Sequence, residues 1–469
     1  MPRTALAVAL AALAVLSGCM AGPNYQAPKT QAPPAWSGVT NSSAGAGSRL
    51  TDSAADLAHW WTQFQDPKLT ELVNAALQTN LDMQLAETLL REARAARGRD
   101  AGGLWPSLTG FGSASRSGPV TGNTAANSFN ARLGAAWNLD LFGSTRRQLE
   151  ADDASIQAAN ENLHDAQVKL ASEVALDYLQ VRSAQEQIAI AQENLTAQEH
   201  TADLTRQKGA VGFVSALDEA NADAQVASTA SAIPVLEASI QQNIFALSIL
   251  LGLPPADLLD DLTKPGAVPL TPPEVPVGLP SDLLRRRPDI REAEANLHAA
   301  AAQIGVAVAD FYPQFSLTGN LNYQNSLARD LFAGGSGSYS AGPQVNWPIF
   351  SGGSMISNLR YQKAARDAAY INYQKTVLAA LADVESALVA FAKEWDHRQA
   401  LRTAVDKNRQ ALSLSQQLYR AGTTEFLTVL DAERSLFGSE TALAASRQAI
   451  TSDLVNIYRA LGGGWVEKN

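Results

Sequence analysis

The chain has 469 residues, with 36 basic and 46 acidic side chains and a formal net charge of −10 at neutral pH. That balance argues against nucleic acid as a partner, and a single cysteine leaves no pair from which to make a disulfide. Aromatic residues are few, at 7%, while alanine is abundant, a composition suited to close-packed helices.

At the N-terminus, Arg3 precedes the apolar run Ala5–Leu16, and Ser17, Gly18 and Cys19 follow. A basic start, a short apolar core and small residues before a cut describe a secretory signal too short to span a bilayer. Leu16-Ser17-Gly18-Cys19 looks like a bacterial lipobox, so Cys19 is the expected lipidation site and mature N-terminus. Met20 follows instead of aspartate, which resembles lipoproteins sent on to the outer membrane. Residues 1–18 are therefore expected to be a signal peptide and 19–65 a lipidated, extended segment with a Gly/Ser stretch at 41–48. No later stretch forms an uninterrupted apolar run of spanning length.

Helices are predicted next over Leu69–Arg99 and, in the second half, Pro288–Asp310, with Asp282 and Pro288 as start signals. The period then changes to two. Phe129, Ala131, Leu133, Ala135, Trp137, Leu139 and Leu141 alternate with Asn130, Arg132, Gly134, Ala136, Asn138 and Asp140. The same alternation covers residues 314–324 and 339–349, with a weaker strand at 107–116, giving β-hairpins over 105–141 and 313–349. Strands of about ten residues, aromatics near the ends of the apolar face and a polar opposite face fit a membrane barrel. Pro343 fits a bulge or a seam better than the middle of a ladder. Four strands cannot close, and an open edge cannot persist in lipid, so at least two chains must pool their strands.

Long proline-free helical stretches follow, Gly143–Gly209 and Gly353–Gly422, each reaching roughly 100 Å at ~1.5 Å per residue. Leu149, Ile156, Leu163 and Leu170 repeat every seven residues, and after a four-residue stutter Val174, Val181, Ile188 and Leu195 resume. Leu401, Val405, Asn408 and Leu412 keep coiled-coil spacing. Return helices are expected over about 216–251 and 426–461, the first kinked or broken at Pro234.

The chain is thus read as two copies, 66–253 and 281–462, around an extended proline-rich linker at 254–280, with a tail at 463–469. Trp105-Pro106 returns as Tyr312-Pro313 (312 − 105 = 207), and Gly209, Phe213, Leu217 and Asp218 fall on Gly422, Phe426, Leu430 and Asp431 (422 − 209 = 213). In this alignment each GAVGFVSALD or AGTTEFLTVLD stretch is the turn of a helical hairpin. Glycine permits the reversal, and Ser215 or Thr423/Thr424 cap the returning helix.

Glu161/His164 and Glu394/His397 have the E-x-x-H spacing of di-iron bundles, but they do not keep the repeat offset and add no obvious partner glutamate. No phosphate-cradling loop, nucleophile motif or metal set stands out, so no enzyme activity, catalytic residue or cofactor is expected beyond the lipid on Cys19. Four methionines do not make a ladder for copper or silver.

The lipobox, LPSDLLRRRPDIREAEANL (279–297), FYPQFSLT (311–318), PIFSGG (348–353) and YRAGTTEFLTVLDAERSLF (419–437) together resemble the TolC/OprM-type outer-membrane efflux proteins, specifically the NodT-like lipoprotein branch. The resemblance implies an α+β membrane protein whose homotrimer gives four strands per chain to a 12-stranded β-barrel continuous with a periplasmic helical barrel. It also implies a lipid anchor in the outer membrane, a periplasmic membrane-fusion adaptor and an inner-membrane RND-type pump as partners, and passive export of drugs or other toxic small molecules. A duct for type I protein secretion is the alternative, though that resembles the non-lipidated branch more. By the same resemblance Tyr419, Asp218, Asp431 and Arg420 form a periplasmic gate. The adaptor would meet Gly209, Val211, Gly212, Phe213, Val214, Gly422, Thr423 and Thr424 at the hairpin tips. Thr424 stands where some members carry a gating arginine, and Thr428 where some carry a second aspartate. The plainer reading of the two aspartates is a first-turn carboxylate favoured by the helix dipole by ~0.3–1 kcal/mol, and of the tip residues simple packing.

Overall fold

The computed structural model describes residues 20–30, 33–37, 49–51, 57–121, 125–272 and 274–466. Cys19, the expected signal peptide and the Gly/Ser stretch at 41–48 lie outside the described residues. The chain divides into two units, each drawing on both halves of the sequence: 1–30, 88–161 and 291–376 in the first, and 31–87, 162–290 and 377–469 in the second.

The first unit carries one antiparallel sheet of four strands, β1 (Ser107–Ser117), β2 (Ala126–Leu139), β3 (Gln314–Asn325) and β4 (Gly337–Asn346), adjacent in chain order. The register keeps the predicted faces aligned. Gly110, Leu133, Leu321 and Tyr339 form one row across the sheet, and Phe111, Arg132, Asn322 and Ser338 form the next. Side chains alternate between faces along each strand, so apolar rows share one side and mostly polar rows the other. On the polar side Arg132 donates twice to Asn320 Oδ1, at 3.0 and 2.6 Å. The Gln324 amide donates to Ser336 O at 3.0 Å. By the alternation of antiparallel ladders, that bond turns the backbone groups of the odd-numbered β4 residues, Pro343 among them, away from β3. Pro343 therefore sits on an edge strand with its missing donor on the open side, as expected of a seam. At the strand ends Trp137 and Trp347 donate through their indole nitrogens to Leu104 O and Phe311 O, 2.9 and 3.2 Å away.

The segment after Cys19 is docked on this unit. Ala21 N donates to Phe142 O at 2.9 Å. Arg147, only 2% exposed, reaches Ala21 O, Asn24 Oδ1 and Glu150 Oε2 at 3.0, 2.8 and 2.6 Å. Gly22 (φ 83°) crosses Gly305 so closely that a Cβ on Gly22 would lie 2.6 Å from the Gly305 Cα. Tyr25 stacks on His298 with centroids 4.2 Å apart.

Four long helices follow the strands: α1 (Ser144–Ala210), α2 (Ala216–Leu250), α3 (Ser354–Arg420) and α4 (Phe426–Ala460), with lengths of 67, 35, 67 and 35 residues. Glycines with positive φ punctuate both copies alike: Gly143 and Gly353 before the long helices, Gly212 and Gly422 at the turns, Gly252 and Gly462 after the return helices. All three pairs are 210 positions apart (422 − 212 = 210). The expected tip alignment at an offset of 213 is thereby corrected, because matching identical letters had slipped the two turns by about one helical turn.

Other expectations need revision too. The helix expected over Leu69–Arg99 is two, Pro67–Thr79 and Leu81–Ala101. They divide at Asn80, whose carboxamide oxygen accepts from the amides of Asp82 and Met83 and starts a new helix. Pro234 does not break α2, which runs through it. Its fixed φ is helical, and the lost hydrogen bond is one among many in a long helix. The linker after Leu253 is not wholly extended: it contains a helical turn at Leu259–Leu262 and a short strand, Glu274–Pro276, pairing in parallel with Arg49–Thr51. By length and composition α2 does reach membrane-spanning character, with mean hydropathy 1.3 over an 18-residue window of which 22% is buried. The core of the second unit gathers Trp60, Trp61, Phe64 and Tyr458, with Trp60 stacked on Tyr458 at 5.3 Å.

Candidate functional site: the hairpin tips

The second unit contains both helical hairpin ends. Each turn closes with the same pair of bonds. Gly212 N donates to Gly209 O and Phe213 N to Lys208 O, both at 2.9 Å. In the second hairpin Gly422 N donates to Tyr419 O at 3.1 Å and Thr423 N to Leu418 O at 3.0 Å. Such i→i−3 and i→i−5 bonds satisfy carbonyls left open at a helix C-terminus, and the glycine supplies the left-handed residue they require. That residue is Gly212 in the first turn. Gly209 is still helical, and the Glu219 carboxylate fills the space its side chain would occupy.

The returning helices start differently. Ser215 caps α2 in a reciprocal box: its hydroxyl accepts from the Asp218 amide at 3.2 Å, and the Asp218 carboxylate accepts from the Ser215 amide at 3.1 Å. In the second turn Glu425 occupies the cap position without a side-chain bond, so neither Thr423 nor Thr424 caps α4. Thr423 Oγ bonds Leu418 O instead, and Thr424 Oγ pairs with Thr428 Oγ at 3.2 Å. Asp218 therefore corresponds to Thr428, and Asp431 lies nearly a turn deeper in its helix. The two aspartates do not occupy equivalent places.

Tyr419 is not at the surface. It is 5% exposed, packed with Ala202, Ala222, Phe426, Val429 and Leu430, with Val214 and Leu412 against them. Its ring tilts against Phe426 at 5.8 Å. Its hydroxyl is buried without a hydrogen-bond partner, so neither Asp218 nor Asp431 bonds it within the chain. Arg420 is exposed, as are Asp431, Gly422 and Thr423. Val211 and Phe213 project outward, 67% and 81% exposed. The structure thus brings Tyr419 and Val214 into one cluster and leaves Arg420 and the aspartates outside it.

Sequence reasoning missed Lys208. Its ammonium donates to Tyr419 O at 2.8 Å and lies 3.9 Å from the centroid of the Tyr419 ring. Nothing in the sequence separates it from any other lysine in a last helical turn. Further polar links join the hairpins. Thr201 Oγ donates to Glu433 at 2.7 Å, Asn194 to Glu440 at 3.0 Å, and Arg434 to Gln225 at 2.8 Å. Burial pushes the Glu433 carboxyl up, against the pull of the Thr201 and Gln416 bonds. Among the described residues no group of His, Cys, Asp and Glu could hold a metal. His397 bonds Glu394 at 3.1 Å, and the His164 ring stacks on Trp465 at 4.3 Å.

A sheet with one apolar and one mostly polar face and, among the described residues, two open edges, joined to paired helical hairpins, defines an outer-membrane channel subunit. The chain belongs to the outer membrane efflux protein family, whose pattern it matches at residues 72–253 and again at 279–463. It is 35% identical to the antibiotic efflux pump outer membrane protein ArpC of Pseudomonas putida, over all of this chain and 97% of that protein. It is 34% identical to nodulation protein T of Rhizobium leguminosarum bv. viciae, over 96% of this chain and 92% of that protein. Among solved structures, the outer-membrane channel OprN superposes with a TM-score of 0.87 at 37% identity, covering 95% of this chain and all of that one. The open state of the Neisseria gonorrhoeae MtrE channel gives 0.81 at 30% identity, covering 95% and 99%. The fold is that of the trimeric outer-membrane efflux channels, and the chain is the outer-membrane component of an efflux pump.

Proposed function

We propose that three copies form a passive duct carrying lipophilic or amphiphilic toxic compounds outward, fed by an inner-membrane RND-type pump through a periplasmic adaptor. The observation that carries this reading is the sheet: its faces keep opposite polarity across all four strands, and both edges are open among the described residues. Relatives named for antibiotic and toluene efflux support the substrate class. Cys19 carries the lipid that anchors the duct. The exposed Val211 and Phe213, with Gly209, Gly212, Val214, Gly422, Thr423 and Thr424 around them, receive the adaptor. The tip is the gate, with Tyr419 as its packed centre and Asp218, Asp431 and Arg420 as the charged groups around it. Opening follows from adaptor contacts made only in the parted state.

The test is a deletion strain complemented with the wild-type chain or with Cys19→Ala, profiled against solvents, dyes and antibiotics. Restored resistance with the wild type and reduced resistance without the acylated cysteine are expected. Resistance to none of these compounds, with protein export restored instead, would give the reading to a secretion duct.

A further inference from the structure

We propose that Lys208 is a one-way latch joining the two hairpins of a single subunit, a positioning residue for the gate. The inference rests on the gate reading above. Lys208 serves both turns at once. Its carbonyl accepts the Phe213 amide and closes the first turn, while its ammonium donates to Tyr419 O in the second. That carbonyl ends a 67-residue helix and already accepts the Gly422 amide. A carbonyl at a helix C-terminus carries partial negative charge and has a second lone pair to offer, so a cation there is favoured. The ring beneath the ammonium adds a cation–π contact, which gains from partial desolvation.

The repeat shows that the device is not a by-product of the turn. At an offset of 210, Lys208 corresponds to Leu418, which is 50% exposed and has no side-chain donor, and Tyr419 corresponds to Gly209, which has no ring. Two turns of matching backbone therefore carry a donor in one and an acceptor platform in the other. No reciprocal side-chain bond runs from Leu418 to the first turn. The latch pairs the hairpins within a subunit, and any opening that parts this pair must break it. The Tyr419 hydroxyl pulls the other way: buried without a partner, it gains hydrogen bonds when the pair separates and water enters. Lys208 holds closed a joint that Tyr419 is biased to leave.

The experiment is planar-bilayer recording of full-length, lipidated trimers of the wild type, Lys208→Met, Lys208→Arg and Phe426→Ala. Lys208→Met keeps most of the unbranched side chain and removes both interactions, so open probability rises about tenfold. Lys208→Arg retains charge and a donor but replaces the compact ammonium with a planar fork, so its open probability falls between those of the wild type and Lys208→Met. Phe426→Ala loosens the tip core independently and also opens the channel. If Phe426→Ala opens it and Lys208→Met does not, the latch is wrong while the gate stands. If Lys208→Met and Lys208→Arg open it equally, the specific contact is again overturned. If all three variants conduct like the wild type, the tip is not the constriction, and the gate reading fails with the latch.

Discussion

Gly212 and Gly422 hold the same place in two turns 210 residues apart, with φ of 80° and 73°. A Cβ at either strains a left-handed backbone by about 1–2 kcal/mol. Alanine at Gly212 or Gly422 should raise hydrogen exchange across its own turn. Alanine at Gly209 should not, because the added methyl meets only the end of the flexible Glu219 side chain and gains about 1 kcal/mol of helix propensity. Amide exchange over 205–216 and 415–426 reads the difference, and the reverse ranking would reinstate the alignment at 213.

Asp453 should make stability fall as pH rises. Burial, with the Glu394 carboxylate beside it, lifts its carboxyl from 3.8 to about 6. Below about pH 4 the group is neutral folded or unfolded and contributes nothing. Between 4 and 6 the folded state holds the extra proton, and above 6 the cost of the buried charge is fully present. Asp453→Asn should therefore stabilise by about 1–2 kcal/mol above pH 6, after solvent screening, and by nothing at pH 4. Urea unfolding at both pH values checks the sign.

Arg132 is a fixed positive charge on the polar face, set by its pair of bonds to Asn320. Charged rings on a pore lining set ion preference. Arg132→Glu should shift the reversal potential under a KCl gradient towards cation selectivity, with assembly intact. An unchanged potential would mean that this face does not line the conducting path.

Arg147→Met should free residues 20–30 from the body. The change removes the partner of three acceptors in that segment and leaves the Glu150 carboxylate short of its 2.6 Å contact. Losses of about 2–4 kcal/mol are usual for a buried arginine stripped from such a network. New protease cuts within 20–30, with trimer stability otherwise kept, are the expected result.

Much of this fold can be read from the residues because its periods are simple. Alternation at 129–141 and 314–324 marks strands whatever their neighbours, and the polar and apolar rows persist in the paired register. The long helices are legible from heptads and from the lack of proline. Less legible were features decided by a few local bonds. The break at Asn80 depends on one carboxamide reaching two amides, and the tip register on which glycine takes positive φ. Identical letters at 209 and 422 pointed to the wrong pairing, since a glycine can serve a helix interior or a turn. Lys208 was invisible for another reason: its partner is 211 residues away, and only tertiary placement brings them together.

The docking of Ala21 on Phe142 has a mechanical consequence. Ala21 is held on Phe142 O, two residues before the first long helix begins. A pull on the chain at Ala21 would meet a rivet, not a leash. It would load the start of the first long helix directly, through a guanidinium and two glycines packed back to back.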